Sequence, residues 1–333
     1  MNNIYVDGMG GDNAPSEIVK ACVDAVNDFK RKIHILGNEE AIKKELTKYQ
    51  YDVNLIKIIH TSEKVENEDE PAMVIRRKKD SSMVVGIKKL KEDPTGVFIS
   101  AGSTGALLAG GTLLLGRIKG IQRPALTIAL PSEKGPTLLL DVGANADCKA
   151  SYLVQFAMMA SVYAQNVLDI KSPKVGLINI GTEPNKGNEL YKETYALLEK
   201  SGLDFIGNVE SREIIESKAD VLVCDGFTGN IILKLTEGLS SFIFSSLKSA
   251  LMESLRSKMG GILLKPALKQ FKSKFDYKEY GGAPLLGVKG GVIKAHGSSD
   301  SKAFYNAIRQ GIVFQEKNIL EQISNKIVEK QQL

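Results

Sequence analysis

The chain has 333 residues, enough for one large α/β core or for two interlocked lobes, since single cores stop growing near roughly 250 to 300 residues. Its composition, 43% hydrophobic and 25% charged, is that of a soluble globular protein, and no apolar run reaches the roughly 18 residues of a spanning helix. A net charge of +5 is too small to imply nucleic acid, and Cys22, Cys148 and Cys224 are too scattered for a disulfide framework or a zinc site.

A strand pattern begins within the first few residues, which predicts no secretion signal and a cytoplasmic location. From there short β-branched runs alternate with segments of helical period, the signature of βα units around a largely parallel sheet. Strands are predicted at 3–7, 32–37, 53–59, 96–100, 125–130, 137–142, 174–180, 203–208, 219–224 and 291–295. Helices are predicted over 15–30, 39–49, 71–92, 104–115, 149–168, 188–200, 227–258, 262–275 and 300–330.

The segments 227–258 and 262–275 break this rhythm, because two helices follow each other with no strand between them. They predict a helical hairpin over 239–275 that stands off the sheet. Its cations Lys248, Arg256, Lys258, Lys265, Lys269, Lys272 and Lys274 face a single anion, Glu253. Phe242, Ile243, Phe244, Leu247, Leu251 and Leu255 recur near helical spacing opposite Lys248 and Arg256. Such a face packs on the core or on a second subunit, or it meets lipid headgroups or an acidic protein.

In open parallel sheets ligands bind beyond the carboxyl ends of the strands. Here those ends share a theme: Asp7 opens DGMGGDNAP, Asp141 opens DVGANAD and Asp225 opens DGFTGN, each running into glycines and an amide or hydroxyl. The segment NIGTEPNKGNEL adds Lys186 and Asn188 at a helix start, where amide N–H groups and a cation suit an anion. KAHGSSD adds His296, Ser298 and Ser299, with either serine able to serve as an N-cap. SAGSTGA places Gly102, Ser103, Thr104 and Gly105 at another helix start, as a small-anion cradle or as a turn that needs glycine for packing. The dinucleotide and P-loop fingerprints, a nucleophile elbow and the H-E-x-x-H zinc motif are all missing from the sequence. The three aspartates could converge on a magnesium ion, yet each serves as readily as a turn-former.

Ten motifs in chain order carry a resemblance over nearly the whole chain: VDGMGGDNAP, RRKKDSSM, SAGSTGA, RPA, LDVGAN, GLINIGTEPNKGNE, FIGNVE, DGFTGNIILK, YGGAPLLG and KAHGSSD. Together they resemble the bacterial acyl-acyl-carrier-protein:phosphate acyltransferases of phospholipid synthesis, the PlsX family. Gly8 stands where alanine is usual, and Ser103 replaces an asparagine, changing an amide to a hydroxyl.

The resemblance implies a three-layer αβα fold like that of isocitrate and isopropylmalate dehydrogenases and of phosphotransacetylase. It also implies one unit over 1–333 with the protruding hairpin at 239–275, and a homodimer. The implied reaction moves a fatty acyl group from acyl carrier protein to inorganic phosphate without metal or cofactor. The product passes to a membrane glycerol-3-phosphate acyltransferase, with the enzyme peripheral at the membrane surface. On these motifs, Gly102, Ser103, Thr104, Gly105, Lys186 and Asn188 are expected to hold phosphate, with Ser298 and Ser299 nearby. Asn145, Asp225, Thr228 and Asn230 are expected to shape the thioester end, and His296 to protonate the thiolate or orient the phosphate. Lys248, Arg256, Lys258, Lys265, Lys269 and Lys272 are expected to form the carrier or membrane surface. The alternative is an acyl-CoA-dependent, phosphotransacetylase-like enzyme.

Overall fold

A computed structural model describes residues 3–66, 68–274 and 281–331, with the side chains of all but 270, 272–274, 330 and 331. Lys272 and Lys274 of the expected basic surface, and Tyr280 of the YGGAPLLG motif, therefore lie outside the described residues. The first half runs β1 (Ile4–Asp7), α1 (Ser16–Phe29), β2 (Ile33–Gly37), α2 (Glu39–Leu46), β3 (Ile56–His60), α3 (Pro71–Arg77), α4 (Ser82–Glu92), β4 (Val97–Ser100) and α5 (Thr104–Gly110). It continues through β5 (Ala125–Ser132), β6 (Gly135–Leu140), α6 (Ala150–Val167), β7 (Lys174–Asn179), α7 (Glu189–Glu199), β8 (Asp204–Glu210) and β9 (Val221–Val223). The chain closes with α8 (Gly226–Met252), α9 (Leu255–Lys274), β10 (Ala283–Leu286), β11 (Gly291–Lys294), α10 (Ser301–Glu316) and α11 (Ile319–Gln331).

Among the described residues eleven strands form one sheet, in the order β3-β2-β1-β4-β11-β10-β5-β6-β9-β7-β8. The strands from β3 to β11 are parallel to one another, and so are β6, β9, β7 and β8. Between the two sets, β10 runs antiparallel to both β11 and β5, and β5 turns back antiparallel into β6. The two parallel halves therefore point in opposite directions and are joined by a short antiparallel seam. Helices α1, α6, α7, α10 and α11 cover one face through Ile18, Phe156, Leu198, Phe304 and Ile319. The other face carries α3, α4, α5 and the start of α8 through Val74, Ile87, Leu107 and Leu233, which makes three layers.

Five features differ from the sequence expectation, the first being the turn of the helical hairpin, which falls at Glu253–Ser254 and leaves the expected break at 259–261 inside α9. The predicted helix 71–92 divides at Lys78–Ser81, because Ser81 caps α4, its Oγ accepting from Val84 N at 3.4 Å. The predicted helix 300–330 divides at Asn318, whose φ of 49° lies in the left-handed region. Helix α5 passes at Gly111 into a π turn over Gly111–Leu115. Strand β10 was not expected, since APLL is short, contains Pro284 and is flanked by glycines, the composition of a turn. Its pairing with β11 and β5 overrides that local preference.

Helices α8 and α9 pack on each other, with Phe244 and Phe271 ring centroids 6.1 Å apart. Leu239, Phe242, Leu255, Met259, Ile262 and Leu263 are all exposed, and so are Lys248, Arg256, Lys258, Lys265 and Lys269. Among the described residues no helix is long and apolar enough to cross a membrane.

Candidate active site at the seam of the sheet

The seam brings the carboxyl ends of the two half-sheets together. Lys294, the last residue of β11, pairs with Ala283 of β10. Two residues further along β10, Leu285 pairs with Leu126, and Asp141, just past β6, accepts from Leu126 N at 2.9 Å. A cavity of about 420 Å³ opens where these ends meet. Leu126, Ile128, Val142, Phe227 and Leu233 form its apolar wall, and Thr104, Asn230, Lys234, Glu237, Lys294 and His296 supply its polar groups.

Each of the three strand-end aspartates anchors its own loop. Buried Asp7 accepts from Ser82 Oγ and Ser100 Oγ, both at 2.6 Å, and from Met9 N at 3.2 Å. Asp141 accepts four bonds, from Leu126 N, Ala144 N (3.2 Å), Asn145 N (2.6 Å) and Asn145 Nδ2 (2.9 Å). Burial nevertheless pushes its carboxyl pKa upward, against those bonds. Asp225 is the N-cap of α8, its Oδ1 accepting from Thr228 N at 2.8 Å. Its Oδ2 accepts from Thr228 Oγ1 at 2.9 Å and from the buried Tyr191 hydroxyl at 2.5 Å. With their oxygens engaged on three separate loops, these carboxylates act as turn-formers and hold the cavity's rim in shape.

Several expected site residues take part in that framework and do not face the cavity. Asn145 spends its amide N–H groups on Asp141 and on Pro124 O (2.8 Å), and Thr228 donates to Asp225. Ser103 caps α5, its Oγ accepting from Ala106 N at 3.4 Å, while Gly102 N donates to Ser100 Oγ at 3.0 Å. Gly105 answers to packing, since a Cβ there would stand 2.7 Å from Pro71 Cγ on α3. Neither Ser298 nor Ser299 caps α10; that cap is Asp300, whose Oδ1 accepts from Ala303 N at 2.9 Å. Ser299 O instead accepts from Asn13 Nδ2 at 3.1 Å, tying the loop after β1 to the loop after β11.

Lys186 and Asn188 stand at the carboxyl end of β7, outside the cavity lining. Asn188 caps α7, and the Lys186 side chain is half exposed, 3.8 Å from Glu183. Tyr191 on α7 connects this strand end to the cavity through Asp225. Of the expected donors, Thr104, Asn230 and His296 meet in one place. His296 Nδ1 accepts from Ser298 N at 3.2 Å and lies 2.9 Å from Ser298 Oγ, and its Nε2 lies 3.7 Å from Glu237 Oε1. The N–H bond to Nδ1 assigns the neutral ring its proton on Nε2, toward that carboxylate.

Sequence reasoning missed Lys234, Glu237 and Lys294. Lys234 pairs with Glu237 at 2.8 Å one helical turn along α8. Lys294 is 9% exposed, and burial lowers its pKa to about 8, against the pull of Asp7. A lysine ending the otherwise apolar run GVIK was the available signal, because a strand paired on both sides leaves its last side chain little access to water.

The family model described as a fatty acid synthesis protein matches residues 2–322. A phosphate acyltransferase from Alkaliphilus oremlandii is 56% identical, the match covering 97% of this chain and 97% of that protein. Another from Clostridioides difficile is 51% identical, covering 97% of this chain and 96% of that protein. The chain belongs to the phosphate acyltransferase family. In shape it is similar to a phosphotransacetylase from Streptococcus pyogenes, with a TM-score of 0.63 at 16% identity, covering 96% of this chain and 94% of that one. A putative 4-hydroxythreonine-4-phosphate dehydrogenase from Salmonella typhimurium aligns with a TM-score of 0.55 at 12% identity, over 94% and 99% of the two chains. The family's fold is thus shared with a transacetylase and with a dehydrogenase, as the sequence motifs implied.

Proposed function

We propose that the chain transfers a fatty acyl group from the thioester of acyl carrier protein to inorganic phosphate, giving an acyl phosphate for phospholipid synthesis. One observation carries the reading. The cavity joins an apolar wall to cationic and hydroxyl donors, yet its described lining contains no serine or cysteine to form an acyl-enzyme. Cys224 is fully buried and its thiol is pushed well above the ordinary range by desolvation, and burial raises Cys148 to about 12. In this reading the nucleophile comes from solution, and phosphate is already an anion at neutral pH.

In this reading the apolar wall takes the first carbons of the acyl chain, and Thr104, Asn230 and the cations orient phosphate against the thioester carbonyl. A phosphate oxygen attacks the carbonyl carbon, the C–O bond forms and the C–S bond breaks with its electron pair on sulfur. The proton carried by hydrogen phosphate ends on the carrier thiol, so the step balances without an outside acid. His296, with its proton on Nε2, is placed to relay it. Fixing the two reactants in attack geometry supplies up to roughly 7 to 11 kcal/mol of barrier lowering, and donors facing the carbonyl oxygen stabilise the tetrahedral oxyanion.

The same proposal includes a homodimer in the cytoplasm, peripheral at the membrane surface, delivering acyl phosphate to a membrane glycerol-3-phosphate acyltransferase. Exposed Phe227, Ile231, Leu235, Leu239 and Phe242, three or four residues apart on α8, give an apolar stripe suited to a second subunit. Lys248, Arg256, Lys258, Lys265 and Lys269, exposed among the described residues of the hairpin, suit an acidic carrier protein or an anionic leaflet. Rates with palmitoyl-carrier and palmitoyl-CoA at equal concentration test the carrier assignment: the carrier thioester should be used with the higher kcat/KM. Preference for the CoA thioester would install the phosphotransacetylase-like alternative.

A further inference from the structure

Lys294 has a setting unlike that of Lys186, which is half exposed, or of Lys234, which is paired with Glu237. It closes β11 at the floor of the cavity, nine-tenths buried. Its Nζ donates to two backbone carbonyls, Ala101 O at 3.4 Å and Ala295 O. Among the described residues no carboxylate lies within ion-pair distance of it. The groups that act on its charge are Asp7 at the end of β1, Asp12 in the following loop and Lys234 on α8, with His296 and Glu237 also lining the cavity. Asp7 is engaged by Ser82, Ser100 and Met9 N and acts on Lys294 only through its field, while Lys234, paired with Glu237, is a second cation that opposes the first. A buried ammonium with three donors, two carbonyl acceptors and a repelling neighbour is a site short of one anion.

We propose that Lys294 is the cation that binds the phosphate co-substrate, which completes the charge of the cavity between Lys294 and Lys234. The proposal deepens the acyl-transfer reading and rests on it for the identity of the anion. Its geometry differs from the expectation that placed phosphate beside Lys186, since Lys186 does not line the cavity. Free Lys294 is partly deprotonated near pH 8, and an anion beside it favours the charged form, so phosphate binding draws a proton into the site. As the thioester is attacked, the same ammonium holds the non-reacting phosphate oxygens and leaves one oxygen free to form the new bond.

The test uses the full-length protein and inorganic phosphate. In Lys294→Met, the KM for phosphate should rise roughly 10- to 100-fold, the loss of one charge-assisted hydrogen bond, while the KM for the acyl thioester changes less than about threefold. Calorimetric titration of the wild type with phosphate at pH 8, in two buffers of different ionisation enthalpy, should show proton uptake that Lys294→Met lacks. A phosphate KM within about twofold of wild type would overturn the assignment, and so would wild-type binding without proton uptake. Lys294→Gln keeps a donor without the charge and covers the case in which the methionine variant fails to fold; it too should lose phosphate affinity. If the wild type makes no acyl phosphate at all, the acyl-transfer reading fails, while the calorimetric arm still decides whether Lys294 holds an anion.

Discussion

The entry of the chain into α8 depends on a close approach that one methyl group would forbid. A Cβ built on Gly229 would stand 1.9 Å from Asp141 O and 3.0 Å from Cys224 Sγ. Ordinary contact lies near roughly 3.5 Å, so Gly229→Ala must drive the first turn of α8 away from the β6 loop by more than about 1 Å. That shift strains the Gly226 N to Asn145 O bond of 2.8 Å and the Asp225 cap, and it carries Phe227 and Asn230 away from the cavity. Overpacking of this kind costs about 1 to 3 kcal/mol, which lowers Tm by roughly 2 to 10 °C in a chain of this size. Turnover at 25 °C, well below the transition, should fall by about 10- to 100-fold because the reacting groups are displaced. Gly238→Ala on the same helix is the control, since nothing lies within 4 Å of the added carbon, and helix propensity predicts up to about 1 kcal/mol of gain. A Gly229→Ala protein with unchanged Tm and full turnover would refute the claim that this contact sets the position of α8.

Three further outcomes are expected. Tyr191→Phe removes the 2.5 Å bond to Asp225 and leaves the α8 cap with fewer donors, lowering stability by about 1 kcal/mol in urea titration with an unchanged m-value. Lys294 has a native pKa lowered from 10.5 to about 8, so between those values the unfolded chain binds a proton that the native chain has released. The Lys294 contribution to the stability of the ligand-free protein should therefore rise with pH from about 8, by on the order of 3 kcal/mol over the full window; the buried thiols of Cys22, Cys148 and Cys224, held protonated in the native chain, oppose it from about pH 9, and the raised Tyr5 and Tyr163, both about 12, oppose it above about 10. Between pH 7.5 and 9.5 the denaturant midpoint of the wild type should therefore shift upward relative to that of Lys294→Met, in which the thiol and tyrosine contributions alone remain; parallel pH profiles of the two proteins would refute the assignment. Charge reversal of Lys265 and Lys269 to glutamate should raise the KM for the acyl carrier roughly tenfold at low salt and leave the phosphate KM unchanged; a carrier KM that stays constant would remove the hairpin from carrier docking.

Most of the fold could be read in the sequence because its parallel strands are apolar runs set between helices of clear period. The seam could not, and the reason is local. Pro284 and its flanking glycines mark β10 as a turn, and only its two neighbours make it a strand. Of the strand-end aspartates, Asp141 and Asp225 directly precede Val142 and Gly226 of the cavity lining, and Asp7 acts on the charge of Lys294. Their chemistry was not legible, because an Asp-Gly strand end looks alike whether its carboxylate faces a ligand or, as here, its own loop amides. Gly105 was likewise ambiguous until Pro71 appeared beside it. Lys294 was hidden by the usual habit of lysines, and its burial depends on the distant segments around Ala101 and Asp7 that fold over it.

The identity of the product decides whether this cavity holds phosphate against an acyl thioester. Phosphorus NMR of the purified protein with palmitoyl-carrier thioester and inorganic phosphate should show an acyl phosphate resonance that grows in step with free carrier thiol. Thiol released without that resonance would mean water is the acceptor, and would contradict the claim that this cavity holds phosphate against the thioester.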